Sequence, residues 1–420
     1  MRHYVLLIFT LLVVPGQRSY GQGMVSGTVT DQVTQQAVAG VRVLVKETGS
    51  TVQADESGRY RVQVSAGLSA VASGAGPEPR VPRSKQLARS GRTRHMLDTV
   101  FRGWCPLTVA PNKAGLTGIR DTGFTPEKEF QRMLKSYPFI RLVREQPHQS
   151  EVVRDVPYGD ADNWELVADI YPAEGVEGKA PAVLLIFGGG WRSGDKRQLG
   201  PLAQRLAAEG FSCVTIDYRL STHALYPAAV CDVKTALRWM HKHADSLRID
   251  PHRIAVLGFS AGGQLAALAG TTAGNPELAL ACGGVGGDRV QAIIDIDGIL
   301  AFIHPESGEG DDTKSTSAAT YWFGYTKYER PDLWVEASPL THVSENTPPT
   351  LFINSSVDRM HAGRDDFIRV LDEHGIYHER KVFADAPHSF CLFEPWFTPM
   401  LETITAFLNR VMAAGSTAGH

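Results

Sequence analysis

The 420 residues predict an α/β fold, a doubly wound and mostly parallel sheet preceded by a small β-sandwich. Three observations carry that expectation. From about Val152 onward, short apolar runs alternate with stretches of helical periodicity, the pattern of strands covered on both faces by crossover helices. One such run, Ile254 to Leu257, passes through Gly258-Phe259-Ser260-Ala261-Gly262 into an Ala- and Leu-rich stretch, which reads as strand, tight turn and helix. Between residues 23 and about 65, short segments of alternating apolar and polar residues are separated by Gly, Asp and Ser, as antiparallel strands are.

The elements follow in chain order. Residues 1–21 read as an export signal peptide: Arg2 and His3, the apolar run Tyr4 to Val14, Pro15, then a polar stretch ending Ser19-Tyr20-Gly21. A bilayer-spanning helix needs about 20 apolar residues, so no stable membrane span is expected from this run. Residues 22–100 hold the β-sandwich, with strands at Val25 to Thr30, Ala39 to Lys46 and Tyr60 to Val64. After Ala66 the pattern degrades into a Gly-, Ser-, Pro- and Arg-rich linker, with seven Lys/Arg between Arg80 and Arg102. Residues 101–150 continue as linker with one short helix, opened by Thr125 as cap, Pro126 in the first turn, and Glu127 and Glu129 where the helix dipole favours acids. Residues 151–412 form the large α/β domain, with strands at Trp164 to Tyr171, Ala182 to Phe187, Cys213 to Asp217, Ile254 to Leu257, Ala292 to Ile296, Leu351 to Asn354 and Glu379 to Phe383. Residues 413–420 read as a frayed, disordered tail.

A composition of 43% hydrophobic and 21% charged residues is that of a globular chain, and a net charge of −3 supplies no basic surface for nucleic acid. Five cysteines, Cys105, Cys213, Cys231, Cys282 and Cys391, are an odd number with no CxxC pair, so neither a disulfide framework nor a metal site is expected. No cofactor is implied either.

The chemistry concentrates on two glycine clusters. A strand-to-helix turn around Ser260 crowds the backbone, so the positions two before and two after the serine must be tiny, and both are glycine. Such a turn lifts Ser260 Oγ to the sheet edge at a helix N-terminus, where unpaired N–H groups favour developing negative charge. Gly188-Gly189-Gly190-Trp191 follows the apolar strand Val183 to Phe187. Acyl transfer passes through an oxyanion that needs two or more N–H donors, and Gly189, Gly190 and Ala261 are the candidates.

These clusters, with Asp217-Tyr218-Arg219-Leu220, Pro227-Ala228-Ala229-Val230 and the Ile249-to-Val256 strand, resemble the esterase/lipase branch of the α/β-hydrolases. Within it the sequence is similar to exported bacterial esterases related to feruloyl, acetylxylan and pectin esterases. Residues Gly27 to Asp31, Ala39 to Val41 and Asp55 to Tyr60 resemble a carboxypeptidase regulatory-like domain, which implies a non-catalytic accessory. The resemblance implies a triad in the order Ser, acid, His: Ser260 as nucleophile, Asp358 just past the strand ending at Asn354, and His388 in Ala386-Pro387-His388-Ser389. Asp365 and Asp366 fall in the helix pattern that follows and are expected to face solvent. Two departures stand out: Phe187 where the family carries His, and Gln264 where His is frequent.

Residues from Gly298 to Trp334 interrupt the α/β rhythm, and their aromatics Tyr321 and Trp322, with Trp191 and Trp396, are candidate substrate contacts or cap packing. The sequence therefore leads to an exported or periplasmic serine esterase acting on an ester-bearing small molecule or polysaccharide, with acetyl, methyl or feruloyl groups as the expected leaving or acyl parts. A serine peptidase of related fold and a non-catalytic carbohydrate-binding or adhesion protein are the alternatives. Every expected catalytic residue lies beyond Phe187, so residues 22 to about 145 are expected to be dispensable for hydrolysis.

Overall fold

The computed structural model describes residues 110–146, 151–161, 164–275, 278, 281–284 and 286–413, and in the leading region 5–8, 23–31, 42–45, 50–53, 55, 57 and 59–64. The chain divides into two compact units, Met1–Trp104 and Cys105–His420.

In the first unit, Gly23–Asp31 pairs antiparallel with Arg59–Val64, and Arg42–Val45 pairs with Ser50–Gln53. These strands fall on the period-two segments, with Ser50–Gln53 the one the pattern did not mark. Val5–Ile8, inside the expected signal peptide, pairs with Thr28 to Asp31. Residues 65–109, which hold most of the expected linker, and 414–420 of the expected tail lie outside the described residues.

The second unit is built on an eight-stranded sheet. Its strands are β1 (Val153–Ala161), β2 (Trp164–Tyr171), β3 (Ala180–Ile186), β4 (Ser212–Ile216), β5 (Ile249–Phe259), β6 (Ala292–Ile296), β7 (Thr350–Asn354) and β8 (His378–Val382). They lie in the order β1-β2-β4-β3-β5-β6-β7-β8. The pairs β1/β2 and β2/β4 are antiparallel and all others are parallel. The central strands are buried on both faces, which is why they read as unbroken apolar runs. In β3, Leu184 and Ile186 point into one core layer and Val183 and Leu185 into the other.

Helices fill both layers. On the first face lie α3 (Ala228–Lys242), α4 (Ala261–Thr271) and α7 (Arg364–Glu373), through Val233, Leu265 and Phe367 among others. On the second lie α2 (Gly200–Ala208) and α8 (Phe397–Val411), through Leu202 and Met400. The short helices α5 (Ala318–Phe323) and α6 (Pro331–Glu336) belong to the segment that interrupts the α/β rhythm, and their Trp322 and Trp334 enter the first layer. Among the described residues no helix is long and apolar enough to cross a membrane.

Two expectations are corrected here. Residues 110–146, read as linker, pack on the large domain: α1 (Pro126–Met133) is capped by Thr125 as expected, but Phe130, Met133 and Tyr137 lie against the second core layer. Arg141–Leu142 adds a two-residue strand paired with Phe393–Glu394. The second correction is a disulfide between Cys231 on α3 and Cys282, 51 residues apart, a bridge that the irregular spacing concealed. Cys213 and Cys391 are free and buried.

Candidate active site

β5 delivers the chain to Ser260 at the mouth of α4, and the serine sits at φ 56°, ψ −119°, a strained backbone for a residue with a side chain. Glycine is obligatory on both sides of it. A Cβ on Gly258 would fall 1.9 Å from the Gly262 carbonyl oxygen, and one on Gly262 would fall 2.0 Å from the Ile186 oxygen. Helix and strand can meet this closely only where both side chains are absent, and that contact turns Ser260 Oγ outward. Ser260 N–H donates to the Ile296 carbonyl (2.8 Å), tying the turn to the end of β6.

His388 Nε2 stands 2.9 Å from Ser260 Oγ, and its Nδ1 stands 2.9 Å from Asp297 Oδ2. The third member of this chain is therefore Asp297, at the end of β6, and not Asp358. After β7 the chain turns away, and Asp358 begins a short 3-10 turn, Asp358–His361, with its side chain in solvent. Arg359 beside it pairs with Glu309 (3.2 Å), whose carboxyl burial pushes above its usual range. Asp365 and Asp366 lie in the first turn of α7, as expected.

Asp297 is fully buried and well held. It adopts φ 51°, which Asp tolerates better than most residues, and its N–H donates to the Ile353 carbonyl (2.9 Å). Its Oδ1 accepts from the Ser355 N–H (2.8 Å) and from Asn354 Nδ2 (3.4 Å), while Arg364 Nη1 holds Asn354 Oδ1 (2.9 Å). Oδ2 is left to the imidazole. Two residues earlier, Asp295 is equally buried: its Oδ1 accepts from Gly298 N–H (2.9 Å), and among the described residues its Oδ2 has no partner. Burial, with the charge of Asp297 adding to it, pushes the Asp295 carboxyl well above the usual carboxylate range.

The glycine loop after β3 runs beside the nucleophile, close enough that a Cβ on Gly188 would lie 2.9 Å from Ser260 Cβ. Gln198, buried and invisible to motif reading, clamps it: the Gly188 N–H donates to Gln198 Oε1 (2.9 Å), and Gln198 Nε2 donates to the Gly188 oxygen (3.0 Å). Gly189 and Gly190 take φ of 135° and 60°. Among the described residues neither of their N–H groups has a protein acceptor, and Ala261 N–H heads α4, where the first amides have no intrahelical partner. Among the described residues these N–H groups lie on the two segments that border Ser260, the glycine loop and the head of α4.

The two departures from the expected motifs have packing reasons. Phe187 stacks on Tyr218, ring centroids 4.3 Å apart and planes 17° from parallel, and Tyr218 Oη donates to the Phe187 oxygen (3.2 Å). Gln264 Oε1 accepts from Trp191 Nε1 (2.9 Å), and its Nε2 donates to the Ala337 oxygen (2.8 Å). This also corrects the expected substrate contacts. Trp191 stacks on Trp322 (4.8 Å, 10°), and both are buried; Trp396 is buried against Tyr137 and donates to Asp385 Oδ1 (3.1 Å). Burying their large area is what these rings do. Tyr321 is partly exposed, with the Arg192 guanidinium 4.5 Å above its ring.

A family model described as BD-FAE matches residues 168–362. Esterase LipC of Mycobacterium tuberculosis is 30% identical over 272 residues, 61% of this chain and 65% of its own, so the chain spans less than two thirds of that relative. Among solved structures, Thermogutta terrifontis esterase 2, phosphoramylated by tabun, superposes with a TM-score of 0.51 at 25% identity, covering 66% of this chain and 100% of that one. A truncated carbohydrate esterase from gut microbiota gives 0.52 at 23%, covering 64% and 100%. The fold is that of an α/β-hydrolase.

Within this fold, sequence reasoning named Ser260 and His388, which the structure brings together, and missed Asp297 and Gln198. Asp297 did leave a signal, an acid immediately after an apolar strand and before Gly298. Strand ends on this side of an α/β sheet are where sites gather.

Proposed function

We propose that this chain is a serine carboxylic-ester hydrolase working through an acyl-enzyme. The observation that carries the reading is the continuous chain Asp297, His388, Ser260, with 2.9 Å at each step. His388 Nε2 takes the proton of Ser260 Oγ as that oxygen attacks the ester carbonyl, and Asp297 Oδ2 stabilises the imidazolium so formed. The oxyanion falls to the amides of Gly189, Gly190 and Ala261. His388 then gives its proton to the departing alcohol, and water, deprotonated by the same nitrogen, releases the acid.

Ester substrates carried on plant polysaccharide, with acetyl, methyl or feruloyl groups, are the proposed class, and export to a secreted or periplasmic location is proposed with them. The esterase resemblance and the leader-like residues 1–21 support this. So does the Cys231–Cys282 bridge, since such bonds persist in oxidising compartments. The carboxypeptidase regulatory-like assignment of the first unit is likewise a proposal, supported by its antiparallel strands.

The test is Ser260→Ala against a short-chain aryl ester. Turnover should fall by about 10³-fold or more with unchanged circular dichroism, and an organophosphate should add its mass to Ser260 of the parent only. A variant that hydrolyses at the parental rate removes the assignment. Acetate, methanol or ferulate released from a polysaccharide panel decides the substrate class, and N-terminal sequencing of the mature protein decides export.

A further inference from the structure

Glu129 is an acid on a short helix with solvent close by, yet it is turned inward and only 5% exposed. Carboxylates are not buried cheaply, so the partners that keep it there are informative. Arg132 forks onto it from one turn away, Nη2 to Oε1 at 2.6 Å and Nε to Oε2 at 2.7 Å. The remaining partner is Ser389, 260 residues further on, whose Oγ donates to Oε1 at 2.6 Å. Ser389 is itself 1% exposed and directly follows His388.

The loop that presents His388 is anchored at its start by Ser356, whose N–H and Oγ both donate to the Ala386 oxygen (3.0 and 2.8 Å). At its far side the anchor comes from residues 126–143. Besides the Glu129 bond, Val143 N–H donates to the Leu392 oxygen (3.0 Å), Leu142 and Arg141 pair with Phe393 and Glu394, and the Phe130 and Phe393 rings lie 6.0 Å apart. Of these contacts, the Glu129 bond is the one made to the residue adjoining the general base.

We propose that Glu129 is a positioning residue for His388, acting through the buried hydroxyl of Ser389 to fix the imidazole between Asp297 and Ser260. This rests on the acyl-transfer reading above. Proton transfer requires Nε2 to be in line with Ser260 Oγ, and displacement of a reacting group by about 1 Å can cost about 10²-fold. Glu129 touches no reacting atom, so its removal acts on the rate of the chemical step and spares substrate binding.

Four variants test it: Glu129→Ala, Ser389→Ala, their double, and Glu129→Gln, which keeps an acceptor for Ser389 Oγ. Each alanine variant should lower kcat by about tenfold or more with KM within about threefold, and slow organophosphate labelling of Ser260 in parallel. The double variant should be no slower than the worse single one, because both ends of one bond are lost once, and Glu129→Gln should recover most of the rate. Measurements are made at a temperature where each variant is folded by circular dichroism; should Glu129→Ala fail to fold, Ser389→Ala carries the test. Parental kcat in Ser389→Ala, or additive losses in the double variant, overturns the proposal. Ser260→Ala runs alongside: if it retains turnover, the acyl-transfer reading falls and takes this one with it. If it is inactive while the alanine variants run at the parental rate, only the positioning role is lost.

Discussion

Asp297 and Asp358 follow neighbouring strands, β6 and β7, and an imidazolium at His388 can be stabilised only by the one within reach. Asp297→Asn preserves shape but removes the charge and the acceptor at Nδ1, so kcat should fall by about 10³- to 10⁴-fold, whereas Asp358→Asn should stay within about twofold. Equal losses in both, measured on an aryl ester, would return the acid to Asp358. Sequence reading went one strand too far because family habit outweighed the local sign, a strand-end Asp before Gly298. Nothing in one dimension showed that the chain after β7 turns outward. Asp295, on the same strand end, gives a prediction with a definite sign. Its carboxyl stays protonated in the folded chain to a higher pH than in the unfolded one. Above the ordinary carboxylate pKa the unfolded state releases this proton and the folded state does not, so stability falls by up to about 1.4 kcal/mol per pH unit until the raised pKa is reached. Asp295→Asn has no proton to lose, and its stability relative to the parent should therefore rise between pH 4 and 7 in urea titrations. A flat difference would mean that Asp295 is ionised in the fold.

Among the elements, the turn around Ser260 was readable because its requirements are local: an apolar strand, two glycines and a helix, all within about 20 residues. The central strands were readable for the same reason, since burial on both faces writes an apolar run directly into the sequence. What spacing could not disclose was which elements meet across the fold. Cys231 and Cys282 show this, as they flank β5 and α4 and close a loop that contains Ser260. A cross-link of this span removes denatured-state entropy amounting to at most about 4 kcal/mol. Cys231→Ser combined with Cys282→Ser should therefore lower the unfolding free energy by up to about that amount, while leaving kcat at 25 °C within about twofold, because neither sulfur adjoins the triad. Denaturant curves with and without reductant check this, and a reductant effect that persists in the double variant would assign it elsewhere. The aromatic rings of the segment between Gly298 and Trp334 illustrate the complementary limit: composition shows that rings are present, and only packing shows that Trp322 faces Trp191 and not a substrate.

At the scale of the whole molecule, the boundary that matters lies before residue 110 and not near 150. Residues 110–146 carry little periodicity, one short helix and several turns, so they read as linker, yet several of their partners are distant in sequence. Asn112 N–H donates to the Gly324 oxygen (2.6 Å), Gly118 N–H to the Thr222 oxygen (2.8 Å), Asp121 Oδ2 accepts from Arg192 Nε (3.1 Å), and Glu129 holds Ser389. The same stretch covers part of the second core layer with Phe130, Met133, Leu134, Tyr137 and Ile140. Deletion through Trp104 removes none of these contacts and leaves the sheet, both core layers and the triad within one unit. That variant should melt within a few degrees of the parent and keep kcat within about twofold on a small soluble ester. Deletion through residue 146 strips eight apolar side chains from the core surface, the five above together with Phe124, Leu142 and Val143. At about 1.5 to 3 kcal/mol for each fully buried chain, even partial loss approaches the whole 5 to 15 kcal/mol by which a typical domain is stable. This second variant should be insoluble, or melt at least about 10 °C lower and lose activity before it melts, because the loop carrying His388 is released from Glu129 and from its strand pair. Parallel expression, thermal melts followed by circular dichroism and ester turnover separate the two deletions. Parental melting and turnover in the longer deletion would show that residues 110–146 are the dispensable linker their sequence resembles.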